Sequence, residues 1–304
     1  MGLIAVYALF CFLAPDSFTT FGNFQTIIRQ TTIVGLLSLG MTAIIISGGI
    51  DLSVGSVVAL TTVIIAHFLQ IEKSPFFAVS AGLMVATFCG VLNGLLISLF
   101  RITPFIVTLG SLLIVRGAAK GFAHEQKIDA PVTGLNELLA MLNPDHAWML
   151  VPPGVWILIL LALLFTFVLR QTRFGLFTFA IGSSEANAKL CGVPISKMKI
   201  ALYALCSAMA GMGGLMQFSR LTVGDPTVAN GLELDAIAAV VIGGGSLSGG
   251  EGTIVGSLIG ALIMTVIRSG CAQVGLANWI QEIVTGLIII VAVGIDRYKN
   301  APRT

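Results

Sequence analysis

The chain reads as an all-α integral membrane protein of about ten transmembrane helices, some of them broken. Three observations carry that reading. Of 304 residues, 56% are hydrophobic and only 10% are charged, where an average soluble domain carries about 25% charge. The mean hydropathy is +1.00. The apolar residues fall in long runs, and inside lipid such runs are helices, because an isolated segment satisfies its own backbone groups only in that form. A span needs about 20 residues, so the spans use up the chain and leave little for a soluble domain.

Ten apolar cores follow in order: Met1–Leu13, Thr31–Ser47, Val54–Phe68, Phe76–Phe100, Pro104–Val115, Val155–Leu169, Ile200–Met216, Leu234–Ile242, Ile254–Ile267 and Ile280–Ile295. The first covers only about 20 Å at 1.5 Å per residue, less than the roughly 30 Å hydrocarbon layer. It is read as the tail of a truncated helix rather than a signal segment, since no small-residue cleavage site follows and Met1-Gly2 gives no basic flank. The eighth core is also short and runs straight into Gly243-Gly244-Gly245.

Basic residues set the orientation, because Lys and Arg accumulate on the cytoplasmic side. Between the sixth and seventh cores, residues 170–199 hold Arg170, Arg173, Lys189, Lys197 and Lys199 against the single acid Glu185. This loop is expected in the cytoplasm. The connection after the fifth core carries Glu125, Asp129, Glu137 and Asp145, and the segment after Arg220 carries Asp225, Glu233 and Asp235. Both are expected outside. Arg297, Lys299 and Arg303 place the C-terminus inside, and counting back places the N-terminus inside too.

Two segments interrupt the apolar pattern. In Ser47-Gly48-Gly49-Ile50-Asp51-Leu52-Ser53, one helix gives way to glycines and an aspartate before the next begins. An aspartate near bilayer depth is costly and points to a protein interior or water-filled path. Capping of the following helix by Ser53 or Asp51 is the structural alternative. In Gly243-Gly244-Gly245-Ser246-Leu247-Ser248-Gly249-Gly250, a similar break follows the eighth core, with Leu247-Ser248 matching Leu52-Ser53. Paired broken helices are a pointer to a transport path, and tight packing on small residues, helped by Gly211, Gly213 and Gly214, is the alternative.

Within the basic loop, Ser184 is placed to cap a two-turn helix from Glu185 to Cys191, stopped by Gly192 and Pro194. Seven residues are too few to be stable alone. Such a helix is either a surface offered to a cytoplasmic partner or an ordinary connection.

What the chain lacks narrows the chemistry. It has no Gly-Lys dipeptide and so no phosphate-binding loop, no HExxH, no GxSxG, and no cluster of histidines with acids. His67, His124 and His146 are scattered, and Cys11, Cys89, Cys191, Cys206 and Cys271 form no CxxC pair. No metal, cofactor or catalytic residue is expected. A net charge of +2 and sparse basic residues exclude a nucleic-acid partner. Energy for transport must come from a partner or an ion gradient.

Four motifs in order make the chain resemble, over about residues 21–296, the permease subunits of bacterial ABC importers for ribose and other simple sugars. They are Gly48-Gly49-Ile50-Asp51-Leu52-Ser53-Val54-Gly55; Ala180-Ile181-Gly182 with Glu185-Ala186 and Gly192-Val193; Glu233-Leu234-Asp235-Ala236-Ile237-Ala238; and Gly243-Gly244 through Leu247-Ser248-Gly249-Gly250. The resemblance implies one transmembrane permease domain, 1–304, in a bacterial inner membrane. It further implies a second permease chain, identical or related, cytoplasmic ATP-binding subunits and a periplasmic sugar-binding protein. On this reading Gly48, Gly49, Asp51, Ser53, Gly243, Gly244, Gly245, Ser246 and Ser248 shape the substrate path. Gly182, Ser184, Glu185, Ala186, Lys189, Gly192 and Pro194 couple it to the ATPase. Two other readings stand beside it. An ion-coupled secondary transporter or channel is disfavoured by the lack of paired intramembrane ionisable groups. An intramembrane enzyme would need Asp51 and Asp235 side by side.

Overall fold

The computed structural model describes residues 2–141 and 149–299, so Asp145, His146 and Arg303 lie outside the described residues. Twelve α-helices are described: α1 Gly2–Leu13, α2 Phe21–Ile46, α3 Val54–Gln70, α4 Pro75–Leu99, α5 Pro104–Phe122, α6 Pro153–Gln171, α7 Arg173–Ser183, α8 Glu185–Leu190, α9 Ile195–Leu221, α10 Leu232–Ile242, α11 Ile254–Gln273 and α12 Asn278–Lys299. Each expected core coincides with a helix. Among the described residues six are long and apolar enough for a full crossing, namely α2, α4, α5, α6, α9 and α11; α1, α3 and Asn278–Val291 of α12 are apolar but shorter. The protein is thus an all-α, multi-pass membrane protein in which full-length spans account for six of the ten expected crossings.

The centre is formed by α2, α3 and α9, where Leu36, Leu37, Met41, Ile44, Val58 and Met216 are buried. Helices α4, α5 and α6 form the periphery and present Phe88, Leu113, Ile114, Leu160 and Leu163 outward. Lipid is an apolar solvent, so close contact rather than hydrophobic expulsion holds such helices together. The α4 and α9 backbones approach at Gly90 and Gly94, where an added Cβ would collide with Tyr203 O and Ile200 Cα. Gly213 and Gly214 bring α9 equally close to Leu37 of α2 and Thr61 of α3.

The connection between α5 and α6 folds back over one end of the bundle. Ile128–Asp129 (β1) pairs antiparallel with Val223–Gly224 (β2), Ile128 opposite Gly224. Ala123 and Ile128 pack on Val63, Leu69 and Phe218. Lys127 Nζ lies 3.1 Å from Asp225 Oδ2, and Asp225 Oδ1 accepts hydrogen bonds from Thr227 N at 2.8 Å and Thr227 Oγ1 at 2.6 Å. Burial pushes the Asp225 carboxyl up, yet the Thr227 donors and the Lys127 ammonium outweigh it and hold the group below its ordinary value.

Candidate solute path and coupling surface

The first break re-enters the bundle. α2 ends at Ile46, Gly48 is exposed, and the chain turns inward so that Asp51 and Ser53 are fully buried. Asp51 Oδ1 accepts from Ser53 N at 2.9 Å and from Ser53 Oγ at 2.6 Å. Ser53 Oγ in turn accepts from Asn93 Nδ2 at 3.0 Å, and Asn93 Oδ1 accepts from Ser111 Oγ. Asn93 stands six residues before the end of α4, about 9 Å inside it at 1.5 Å per residue. Asp51 therefore folds the start of α3 around its own carboxylate at depth, tied to α4 and α5. Ser53 occupies the cap position of α3 but makes no side-chain cap bond there. Thr108 Oγ1 donates to Ile50 O at 3.2 Å, fixing the same turn to α5.

The second break joins the first. Gly250 N donates to Ile46 O at 2.8 Å, closing a bond between two segments about 200 residues apart. Gly249 and Gly250 have φ of +87° and +81°, a conformation side chains resist, and a Cβ on Gly249 would sit 2.8 Å from Gly182 O and 3.1 Å from Gly48 Cα. Gly182 is the third member. A Cβ on it would collide with Ile46 O and with Gly250 N. Gly243 packs backbone to backbone on Gly256 at the start of α11, Gly245 and Ser246 are buried, and Gly244 and Ser248 lie exposed at the rim.

Gly182 belongs to α7, and here the structure adds an element. Residues 170–199, expected as a loop bearing one short helix, contain α7 as a second helix capped by Thr172 Oγ1. Its eleven residues are too few to register as a span. α8 then forms where expected, Glu185–Leu190, with Ser184 Oγ accepting from Asn187 N at 3.3 Å and Gly192 in a left-handed conformation at φ +80°. Ala188 and Val193 bury against Ile181 and Met198, and Lys199 Nζ pairs with Glu185 Oε2 at 2.7 Å. The short helix is thereby bolted to α7 and α9, while Glu185, Ala186, Lys189, Leu190 and Pro194 remain exposed.

In the half of the molecule where α2 begins and α9 and α11 end, a cavity of ≈ 590 Å³ opens between α2, α9, α10, α11 and α12. Its polar lining includes Asn23, Thr26, Gln30, Gln217, Arg220, Asn230, Asp235, Arg268, Ser269, Gln273 and Gln281. None of these was expected as part of the path. Scattered amides in apolar helices carry no sequence pattern, and only the packing brings them together. Asp235 is fully buried, with Arg268 Nη2 2.8 Å from Oδ1 and 2.7 Å from Oδ2. This pair of intramembrane ionisable groups, 33 residues apart, was not visible in the sequence. Asp51 and Asp235 have separate partners, Ser53 and Arg268. The wall thus combines amides, hydroxyls, the ion pair of Asp235 with Arg268 and the further cation Arg220 with the apolar side chains of Ile33, Val34 and Leu232.

Helices with buried breaks, a polar cavity and a bolted surface helix define a membrane permease. The sequence of residues 23–293 matches the family described as branched-chain amino acid transport system / permease component. The chain is 36% identical to the ribose import permease protein of Escherichia coli (strain K12) over 300 residues, 99% of this chain and 93% of that protein. It is 36% identical to the corresponding protein of Bacillus subtilis (strain 168) over 302 residues, 99% and 92% of the two chains. It is 31% identical to the L-arabinose ABC transporter permease protein of Azospirillum brasilense over 303 residues, 100% and 88%. No solved structure matches. The chain belongs to the ribose and simple-sugar ABC permease family.

Proposed function

We propose that the chain is the transmembrane permease subunit of an ATP-driven importer for a simple sugar, a ribose-like monosaccharide or related polyol. The polar cavity is the observation that carries this reading, since its many amide and hydroxyl donors and acceptors match the hydroxyls of a sugar. The whole chain, 1–304, acts as one permease domain in the bacterial inner membrane with both termini cytoplasmic. It pairs with a second permease chain, receives solute from a periplasmic binding protein, and takes its energy from separate ATPase subunits. The chain itself is not an enzyme.

Alternating access runs between the cavity and the two breaks. Gly48, Gly49, Gly243, Gly244, Gly245, Ser246 and Ser248 form the inner end of the path, and Asp51 and Ser53 meet solute only when the breaks part. Gly182, Ser184, Glu185, Ala186, Lys189, Gly192 and Pro194 carry ATPase motion to that joint through α7 and α8. The support is mechanical: Gly182 of α7 touches both breaks, so a push on α8 has one rigid element to travel through. Uptake of labelled pentoses, hexoses and leucine into vesicles holding the complete complex tests the substrate class. Sugar uptake without leucine uptake is expected; leucine uptake alone overturns the sugar reading.

A second reading, an ion-coupled carrier, draws on the Asp235 and Arg268 pair. Its two charges already neutralise each other, which weakens the case for a cation-binding carboxylate there.

A further inference from the structure

A groove of ≈ 760 Å³ lies between the α4–α5 turn and the start of α9, within the roughly 300–1,000 Å³ range of small-ligand sites. Four cations line it, Arg101, Lys189, Lys197 and Lys199, against the single carboxylate of Glu185. Glu185 is already paired with Lys199, and among the described residues Arg101, Lys189 and Lys197 form no ion pair. Ser98 and Thr103 add hydroxyls to the same wall. Arg101 is held at φ +53° in the turn and is exposed.

A second feature says what meets this charge. The groove's wall includes Ile97 and Ser98 at the end of α4 and Pro104 at the start of α5, and beside them Leu99, Phe100, Ile102, Phe105 and Ile106 are between 39% and 68% exposed. Apolar side chains on a peripheral helix of a membrane protein face acyl chains, so the basic groove sits where those chains end. A ligand filling both features has an anionic head and apolar tails. Basic pockets between helix ends at the membrane surface take anionic headgroups for this reason. We propose that this groove binds the phosphate headgroup of an anionic phospholipid, with Arg101 and Lys197 as its main cationic contacts and Lys189 at the rim. Because Lys189 and Glu185 also belong to α8, the bound lipid braces the coupling surface from the membrane side. The site itself does not depend on which solute is carried.

The test is native mass spectrometry of the full chain in detergent, titrated separately with phosphatidylglycerol and with phosphatidylcholine. Wild type is expected to retain phosphatidylglycerol selectively. The double variant Arg101→Gln/Lys197→Gln is expected to weaken that retention by more than about tenfold, given the contribution of each basic group at an anionic surface. Arg101→Lys keeps the charge and is expected to retain the lipid. Lys73→Gln, an exposed change in the turn between α3 and α4, is expected to leave retention unchanged and controls for nonspecific charge loss. Equal retention of the two lipids by wild type overturns the proposal. Unaltered phosphatidylglycerol retention by a folded double variant overturns the assignment of Arg101 and Lys197. Displacement of the lipid by inorganic phosphate at matched concentration overturns the lipid source in favour of a soluble phosphate.

Discussion

Gly250 N donates to Ile46 O at 2.8 Å, so the end of one broken helix is held by the loop that follows another. Gly182 lies against both atoms of that bond. Three segments of chain share one joint only because two of their glycines leave room for backbone contact.

Glycine substitutions separate that joint from its surroundings. Gly182→Ala places a methyl against two backbone segments that have no side chain to rotate away, and is expected to destabilise by about 3 kcal/mol or more. Gly192→Ala meets open space but a left-handed backbone, with an expected cost of about 1–2 kcal/mol. Gly110→Ala, in α5 with nothing within 4 Å, is expected to be neutral or stabilising by up to about 1 kcal/mol. Thermal unfolding of the three purified variants checks the order.

Arg268→Ala leaves the Asp235 carboxylate buried without its cation. The expected loss is about 3–5 kcal/mol, whereas the double change Asp235→Asn/Arg268→Ala removes both charges and is expected to recover most of it, with Asp235→Asn completing the set. A double-mutant cycle of unfolding midpoints reads the coupling. Additive effects would show that the pair contributes nothing jointly.

Much of this was legible in the sequence, and the misses share a cause. The ten apolar cores coincide with helices, the long ones because a sustained apolar run in lipid has no other way to pair its backbone and the short first and eighth because their apolar runs are still unbroken. The α8 cap was readable from Ser184, Glu185 and Gly192, since capping is local. α7 was not, because eleven residues are half a span and its apolar stretch resembles any connection. The contact of Ile46 with Gly250, the Asp235 and Arg268 pair and the amide-lined cavity were invisible for another reason. Each joins residues from separate helices, and spacing along one chain says nothing of such meetings.

Asp225 gives the fold a pH dependence. Its carboxyl titrates below the ordinary value in the folded protein, so its contribution is fully present above the unfolded pKa, near 3.8, and is lost as pH falls through the lower folded value. Thermal midpoints of wild type are expected to fall more steeply below about pH 4 than those of Asp225→Asn. Parallel curves would remove Asp225 from the account.

Ser184→Ala deletes the acceptor for Asn187 N and is expected to weaken α8 by about 1 kcal/mol. Overall unfolding is expected to change little, because Ala188 and Val193 still anchor the segment. The readout is solute moved per ATP hydrolysed in the assembled complex, expected to fall for Ser184→Ala and to be kept by Ser184→Asn. An unchanged ratio would detach α8 capping from coupling.

The most direct measurement is of the energy source: uptake of a labelled simple sugar into vesicles containing this chain, alone and then with its ATPase subunits and binding protein. No accumulation is expected by the chain alone under an imposed proton or sodium gradient, and in the full complex accumulation is expected to require ATP hydrolysis. Gradient-driven accumulation by the chain alone would contradict the ATP-driven reading.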